Sequence, residues 1–151
     1  MQTVCDKDNL MQNQDLLQNQ FELVLKDHNL RKTTVRQQLF DILLKINQPL
    51  SIQDIVKKVS NAHFVSVYRS IDALHKAGVV VQVPQGFKNL YELSDLFKPH
   101  HHHISCEKCG NLSKINDKEI EALIEKISLE SGYKSTKHHL ELYGVCQNCQ
   151  A

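Results

Sequence analysis

The sequence predicts an α+β protein in two parts: helices closed by a hairpin, then a small α/β third built around metal. Three observations predict it. Apolar residues recur at helical spacing from Leu17 to Leu74, then give way to extended runs on either side of Pro84-Gln85-Gly86. Residues 100–109 read His-His-His-His-Ile-Ser-Cys-Glu-Lys-Cys, four imidazoles running into a Cys-x-x-Cys pair. A second pair, Cys146 and Cys149, lies near the other end of that third. Thiolate and imidazole are preferred zinc ligands, and four thiolates fill a closed tetrahedral shell.

The 151 residues fit one or two small domains. No apolar run approaches the ~20 residues of a membrane span, so no membrane partner is expected. Residues 1–20 lack the basic and apolar regions of a signal peptide, so a cytoplasmic location is expected. In that compartment paired cysteines bind metal more often than they form disulfides. Residues 1–99 hold 12 Lys+Arg and 10 Asp+Glu, and residues 100–151 hold 6 and 7. Charge this even gives no argument for nucleic acid, so any DNA contact must come from local placement.

Residues 1–14 are polar and read as a flexible tail, with Cys5 alone in it. Leu17, Phe21, Val24 and Leu25 give a first helix over about 15–28. Thr33 or Thr34 caps a second, with Val35, Leu39, Ile42, Leu43 and Ile46 as its stripe. Ser51 opens a third, with Asp54 three places on as a short capping box. A fourth covers about 64–77, with Phe64, Val67, Ile71 and Leu74 inward, and Ser66, Tyr68, Arg69 and Ser70 on the outward side or its border. Gly78 ends it, and Val79–Val83 and Leu90–Leu93 form the hairpin. This order fits a winged helix-turn-helix, whose last helix enters the major groove. It fits a plain helical domain with an ordinary polar surface equally well.

In the C-terminal third, a strand from His100 to Ile104 puts His100 and His102 on one face and His101 and His103 on the other. The imidazoles can therefore feed two sites; a solvated His-rich loop is the blander alternative. A helix over about 117–131 follows, with Asp117 at its N-cap or in its first turn, Ile120, Leu123, Ile124 and Ile127 inward and Glu121 beside them. Residues 134–143 alternate and put His138 on an apolar face with Leu140 and Leu142, as a core histidine or a ligand. Cys106 and Cys109 open no helix after a strand, which separates them from a thioredoxin-like dithiol. They pair instead with Cys146 and Cys149 as a zinc shell.

Four motifs then carry a resemblance. They are Leu30-x-x-Thr33-x-x-Arg36, Ser66-Val67-Tyr68-Arg69, His100-His-His-His-x-x-Cys106-x-x-Cys109-Gly110, and His138 ahead of Tyr143-Gly144-x-Cys146-x-x-Cys149. From about Phe21 to Cys149 the chain resembles the ferric uptake regulator family of bacterial metal-responsive repressors. The resemblance implies a winged-helix DNA-binding domain over 15–93, a hinge over 94–99 and a dimerisation domain over 100–151. It implies a homodimer on AT-rich inverted repeats of double-stranded DNA, contacted chiefly by Tyr68 and Arg69, with Ser66, Ser70 and Arg36 beside them.

For metals, the resemblance implies structural zinc at Cys106, Cys109, Cys146 and Cys149. It implies a dimerisation-domain site at His100, His102, Glu121 and His138, where His102 replaces the usual Asp. It also implies a bridging regulatory site at Glu92, His101 and His103, taking zinc or iron. Pro49 and Lys114 stand where many members carry two more ligands of that site, and Val35 and Asp27 depart from the usual DNA-side residues. Rival readings are a peroxide sensor on the same fold, a regulator without metal control, and a zinc hydrolase. The last lacks a His-Glu-x-x-His motif or triad order, so no enzyme and no small organic substrate is expected.

Overall fold

The structure, a computed structural model, describes residues 5–46, 48–86 and 88–150. The chain divides into two compact units, Met1–Pro84 with Lys88–Lys98, and Pro99–Ala151 with Gln85–Phe87.

The first unit holds α1 (Cys5–Asp27), α2 (Thr34–Lys45), β1 (Leu50–Ser51), α3 (Ile52–Lys58), α4 (Phe64–Lys76), β2 (Val80–Gln85) and β3 (Lys88–Leu93). Local chemistry sets the helix starts. Thr33 Oγ1 accepts the Arg36 N–H at 3.3 Å, and Ser51 Oγ accepts the Asp54 N–H at 3.2 Å. Thr33→Ala is expected to cost about 1 kcal/mol, read from the urea unfolding midpoint of this unit; an unchanged midpoint would show that the cap contributes nothing. The strands form one sheet in the order β1-β3-β2, with β1 antiparallel to β3.

An aromatic column holds the helices together. Phe21 of α1 stacks on Phe40 of α2 at 4.2 Å, and Phe97 meets Phe40 edge-on at 5.0 Å. Leu25, Leu39, Leu43, Ile55, Val67, Ile71, Leu74, Val79, Val80 and Leu93 belong to the same core. Phe97 belongs to the 94–99 segment read as a hinge. Ser94 Oγ donates to the Gly78 carbonyl at 2.6 Å, and Lys98 Nζ donates to the Ile46 carbonyl at 3.0 Å, so residues 94–98 are docked on the first unit. Gly78, at φ +72°, makes the left-handed turn that lets the chain leave α4 for β2.

Three sequence expectations differ in this unit. α1 begins at Cys5, so most of the residues read as a tail are helical; they carry no apolar stripe to announce it, but also no Pro or Gly. Residues 1–4 and the side chain of Cys5 lie outside the described residues. Phe64, expected inward, is 51 % exposed, because the first turn of α4 runs past the edge of the core. Ser70, expected outward, is buried, because it sits between Val67 and Leu74 on the flank that packs.

The second unit holds β4 (His102–Cys106), β5 (Leu112–Ile115), α5 (Lys118–Glu130), β6 (Glu141–Gly144) and a 3₁₀ turn, Gln147–Cys149. The sheet order is β5-β4-β6, with β4 antiparallel to β5 and parallel to β6. A parallel neighbour needs a crossover, and α5 lies in it. Asp117 caps α5 by accepting the Glu119 N–H at 2.8 Å. Leu123 and Ile127, expected inward, are more than half exposed, and α5 has no buried residue. A three-stranded sheet in so short a segment covers only part of the apolar stripe of a helix.

Candidate metal centres

β4 is the axis of the second unit. Its register sets Cys106 beside Gly144 of β6, so the chain reaches Cys146 two residues later, next to the first cysteine pair. Backbone bonds shape both turns: Gly110 N–H to the Cys106 carbonyl, and Cys149 N–H to the Cys146 carbonyl, each at 2.8 Å. Lys108 Nζ donates to the Cys149 carbonyl at 2.7 Å and ties the two turns together. The four sulfurs lie within 4.8 Å of one another, and Cys109 Sγ to Cys146 Sγ is 3.7 Å. A tetrahedron with Zn–S bonds of ~2.3 Å has edges of ~3.8 Å, so this pair already has the spacing of two zinc thiolates.

The electrostatics fit a cation as well. The Cys146 N–H donates to Cys106 Sγ at 3.3 Å and, with further backbone N–H groups, holds the Cys106 thiol down at about 6. Hydrogen bonding to Cys146 and then Cys109 pushes Cys149 up to about 12. Four crowded sulfurs cannot all ionise against one another without a positive charge at their centre, and a coordinating metal deprotonates its thiols outright.

The second cluster is built by strand parity. His102 points to the α5 side of β4, where Glu121 lies on the first turns of that helix. His102 Nε2 is 2.6 Å from Glu121 Oε1, His100 Nε2 is 3.0 Å from His138 Nε2, and His138 Nε2 is 3.4 Å from His102 Nε2. His100 and His138 Nε2 lie 3.4 and 3.3 Å from the same carboxylate. Zn–N bonds of ~2.0–2.1 Å give tetrahedral edges of ~3.3 Å, and these separations bracket that value. Burial raises the Glu121 carboxyl, but the His102 hydrogen bond and the neighbouring imidazoles outweigh it, so the net direction is down. The cluster lines a cavity of about 270 Å³, to which Asn116 and Asp117 also contribute. The sequence marks Asp117 only as a helix start and does not single out Asn116. Asp117 is committed to its cap.

The other two histidines face the opposite side of β4. The His101 and His103 rings lie 4.9 Å apart, edge to face. His101 Nδ1 is 2.9 Å from the Pro99 carbonyl; a bond there requires the proton on Nδ1 and leaves the lone pair on Nε2. Burial, then the charges of His101, Lys114 and His102, push His103 from 6.5 down to about 4. Lys114 contributes because it is directly opposite His103 in the β4–β5 ladder. Glu92 stands on β3 in the first unit, 3 % exposed.

That shift sets a pH dependence for the chain with the four-thiolate zinc in place and no metal at His101 and His103. The unfolded chain takes the proton near 6.5 and the folded unit only near 4. The His103 contribution to stability is therefore complete above pH 6.5 and lost as pH falls toward 4. Urea midpoints of the second unit should drop over that window, with a shallower slope in His103→Gln. Parallel slopes for the two proteins would contradict the assignment.

On α4, Tyr68 is 53 % exposed, and Ser66 and Arg69 are exposed beside it. Arg36 is half-buried, with Nη1 donating to the Arg31 carbonyl at 2.5 Å.

The ferric uptake regulator family model matches residues 27–143. The chain belongs to the ferric uptake regulator family. The ferric uptake regulation protein of Neisseria gonorrhoeae is 35 % identical over 133 residues, which cover 84 % of this chain and 91 % of that protein. The Helicobacter pylori ferric uptake regulator, whose structure reveals three functional metal-binding sites, shares the fold. It matches at a TM-score of 0.76 and 24 % identity, over 91 % of this chain and 93 % of its own. The Vibrio cholerae ferric uptake regulator matches at 0.67 and 30 %, over 81 % and 96 %. As a ferric uptake regulator family member the chain is a metal-binding, DNA-binding transcriptional regulator and not an enzyme. Among the described residues, no helix is long and apolar enough to cross a membrane.

Proposed function

We propose that this regulator represses metal-uptake or homeostasis genes, senses zinc or iron, and acts in the cytoplasm as a homodimer on AT-rich inverted repeats. The convergence of three Nε2 atoms and one carboxylate at 2.6–3.4 Å carries the reading. Such a donor set has no evident use but a cation, and its nitrogen-rich composition favours zinc over oxygen-preferring metals. Cys106, Cys109, Cys146 and Cys149 hold structural zinc. The exposed Leu123 and Ile127 of α5, four residues apart on one face, supply an apolar surface for the second copy.

The first unit is the winged helix-turn-helix, with Tyr68, Arg69 and Ser66 of α4 in the major groove and Arg36 near the backbone. Ser70, being buried, supports the helix and does not touch DNA. Glu92 joins His101 and His103 around the regulatory cation, so that metal fixes the two reading heads of a dimer one helical turn apart, ~34–36 Å. Metal then raises DNA affinity by its preference for the fixed geometry, and DNA raises metal affinity by the same factor.

The test is a gel-shift titration with and without a chelator too weak to strip the four-thiolate site. A loss of about tenfold in DNA affinity is expected, within the usual range of such couplings. Equal affinity in both lanes would remove metal control.

A further inference from the structure

We infer that Phe64 is a specificity-determining residue, its ring joined to that of Tyr68 to read the C5 methyl groups of thymines. The inference rests on the reading of α4 as the DNA-facing helix. Val67, Ile71 and Leu74 are the side of α4 spent on the core. Phe64, Val65 and Tyr68 are not: they are 51, 55 and 53 % exposed. The two rings lie on one face, four residues apart, with centroids at 6.4 Å and planes 22° from parallel. Three large apolar side chains in the first two turns form a contiguous patch, which marks a surface that meets a partner.

The chemistry around the patch selects that partner. The first turn of α4 carries no acidic residue, and the exposed Arg69 follows Tyr68. Asp72, the nearest carboxylate along the helix, is held by Lys76 at 2.8 Å. The occupant must therefore present apolar groups close to negative charge. The major groove does so: the thymine methyl is the apolar group its base edges display, with phosphates along both rims. Ring centroids 6.4 Å apart span about two base steps at ~3.4 Å each. The two rings thus meet two thymines, and Val65 packs beside them. Such a platform prefers thymine to cytosine without any hydrogen bond.

The probe is the duplex that zinc-loaded wild-type protein enriches from a randomised AT-rich pool, and a copy with deoxyuridine for thymine in one half-site. Deoxyuridine keeps pairing and charge and removes only the methyls. Wild type should bind the copy roughly tenfold more weakly, the scale expected for two buried methyls. Phe64→Ala should bind the thymine duplex more weakly and show a penalty of only about threefold on the copy; Phe64→Leu should keep most of the preference. Unchanged thermal midpoints, expected for half-exposed positions, exclude misfolding, and the wild-type comparison needs no variant. Equal wild-type binding to both duplexes overturns the inference, as does a full penalty in Phe64→Ala. If wild type enriches no duplex, the DNA-binding reading of α4 fails as well.

Discussion

Cys106→Ser is expected to cost each chain the zinc bound in its second unit, the fold of that unit and the dimer, and to leave the first unit folded. The asymmetry follows from where the apolar core lies. The cluster of buried hydrophobic residues runs from Phe21 to Phe97, all in the first unit. From Pro99 onward, among the described residues, Cys106 itself is the one buried hydrophobic residue. A segment of that size without a core needs a metal or a partner to stay folded. Structural zinc contributes an apparent ~10–16 kcal/mol in small domains, as much as the ~5–15 kcal/mol that holds a whole domain together.

Cys106 is the most exacting of the four thiolates. It ends β4, it lies beside Gly144 of β6, and its sulfur accepts the Cys146 N–H. Serine would keep the size but offer a hydroxyl that does not ionise near neutral pH. Zinc content by elemental analysis, sedimentation for the dimer, and two-phase urea unfolding read the three losses separately. A variant with wild-type zinc content and an unchanged second transition would show that the sulfur cluster is not structural.

What the sequence could not say follows the same division. Thr33, Ser51 and Asp117 were legible as caps because a cap is a contact within three residues. The split of the four histidines was legible because strand parity is local. The meeting of Cys106 with Cys146 was legible only as arithmetic on ligands. The register that achieves it, Cys106 against Gly144, depends on a crossover through α5 that no spacing rule fixes. Phe64, Leu123 and Ile127 were misplaced for one reason. An apolar stripe looks alike whether the chain's own core, a second copy or a base edge covers it. Periodicity gives the direction of a face and not its occupant. α1 failed in the opposite sense: residues before Asp15 are helical without a stripe, and helix propensity alone is a weak signal.

His102→Ala is expected to weaken zinc binding at the three-histidine site by at least about 100-fold while the four-thiolate zinc stays in place. Changes one shell further from a metal already cost about 10–100-fold, and His102 Nε2 lies 2.6 Å from Glu121 and 3.4 Å from His138. Its side chain is 4 % exposed, and it holds the Glu121 carboxylate at 2.6 Å. Alanine would leave His100 and His138 without a third nitrogen and Glu121 without its shortest contact. His102→Asp separates loss of a ligand from change of ligand. It keeps four donors, so zinc should bind better than in the alanine variant, but oxygen in place of nitrogen should raise manganese or ferrous affinity relative to zinc. Competition against a chromophoric chelator gives the affinities, and native mass spectrometry counts the metals that remain. If His102→Ala binds its second zinc as tightly as wild type, the imidazoles are a polar cluster and not a metal centre. Because those ligands bind as neutral imidazole, the wild-type site should also release zinc on acidification from pH 7.5 to 5.5. A dependence that survives in His102→Asp but is shallower would follow directly from exchanging one proton-competing nitrogen for a carboxylate.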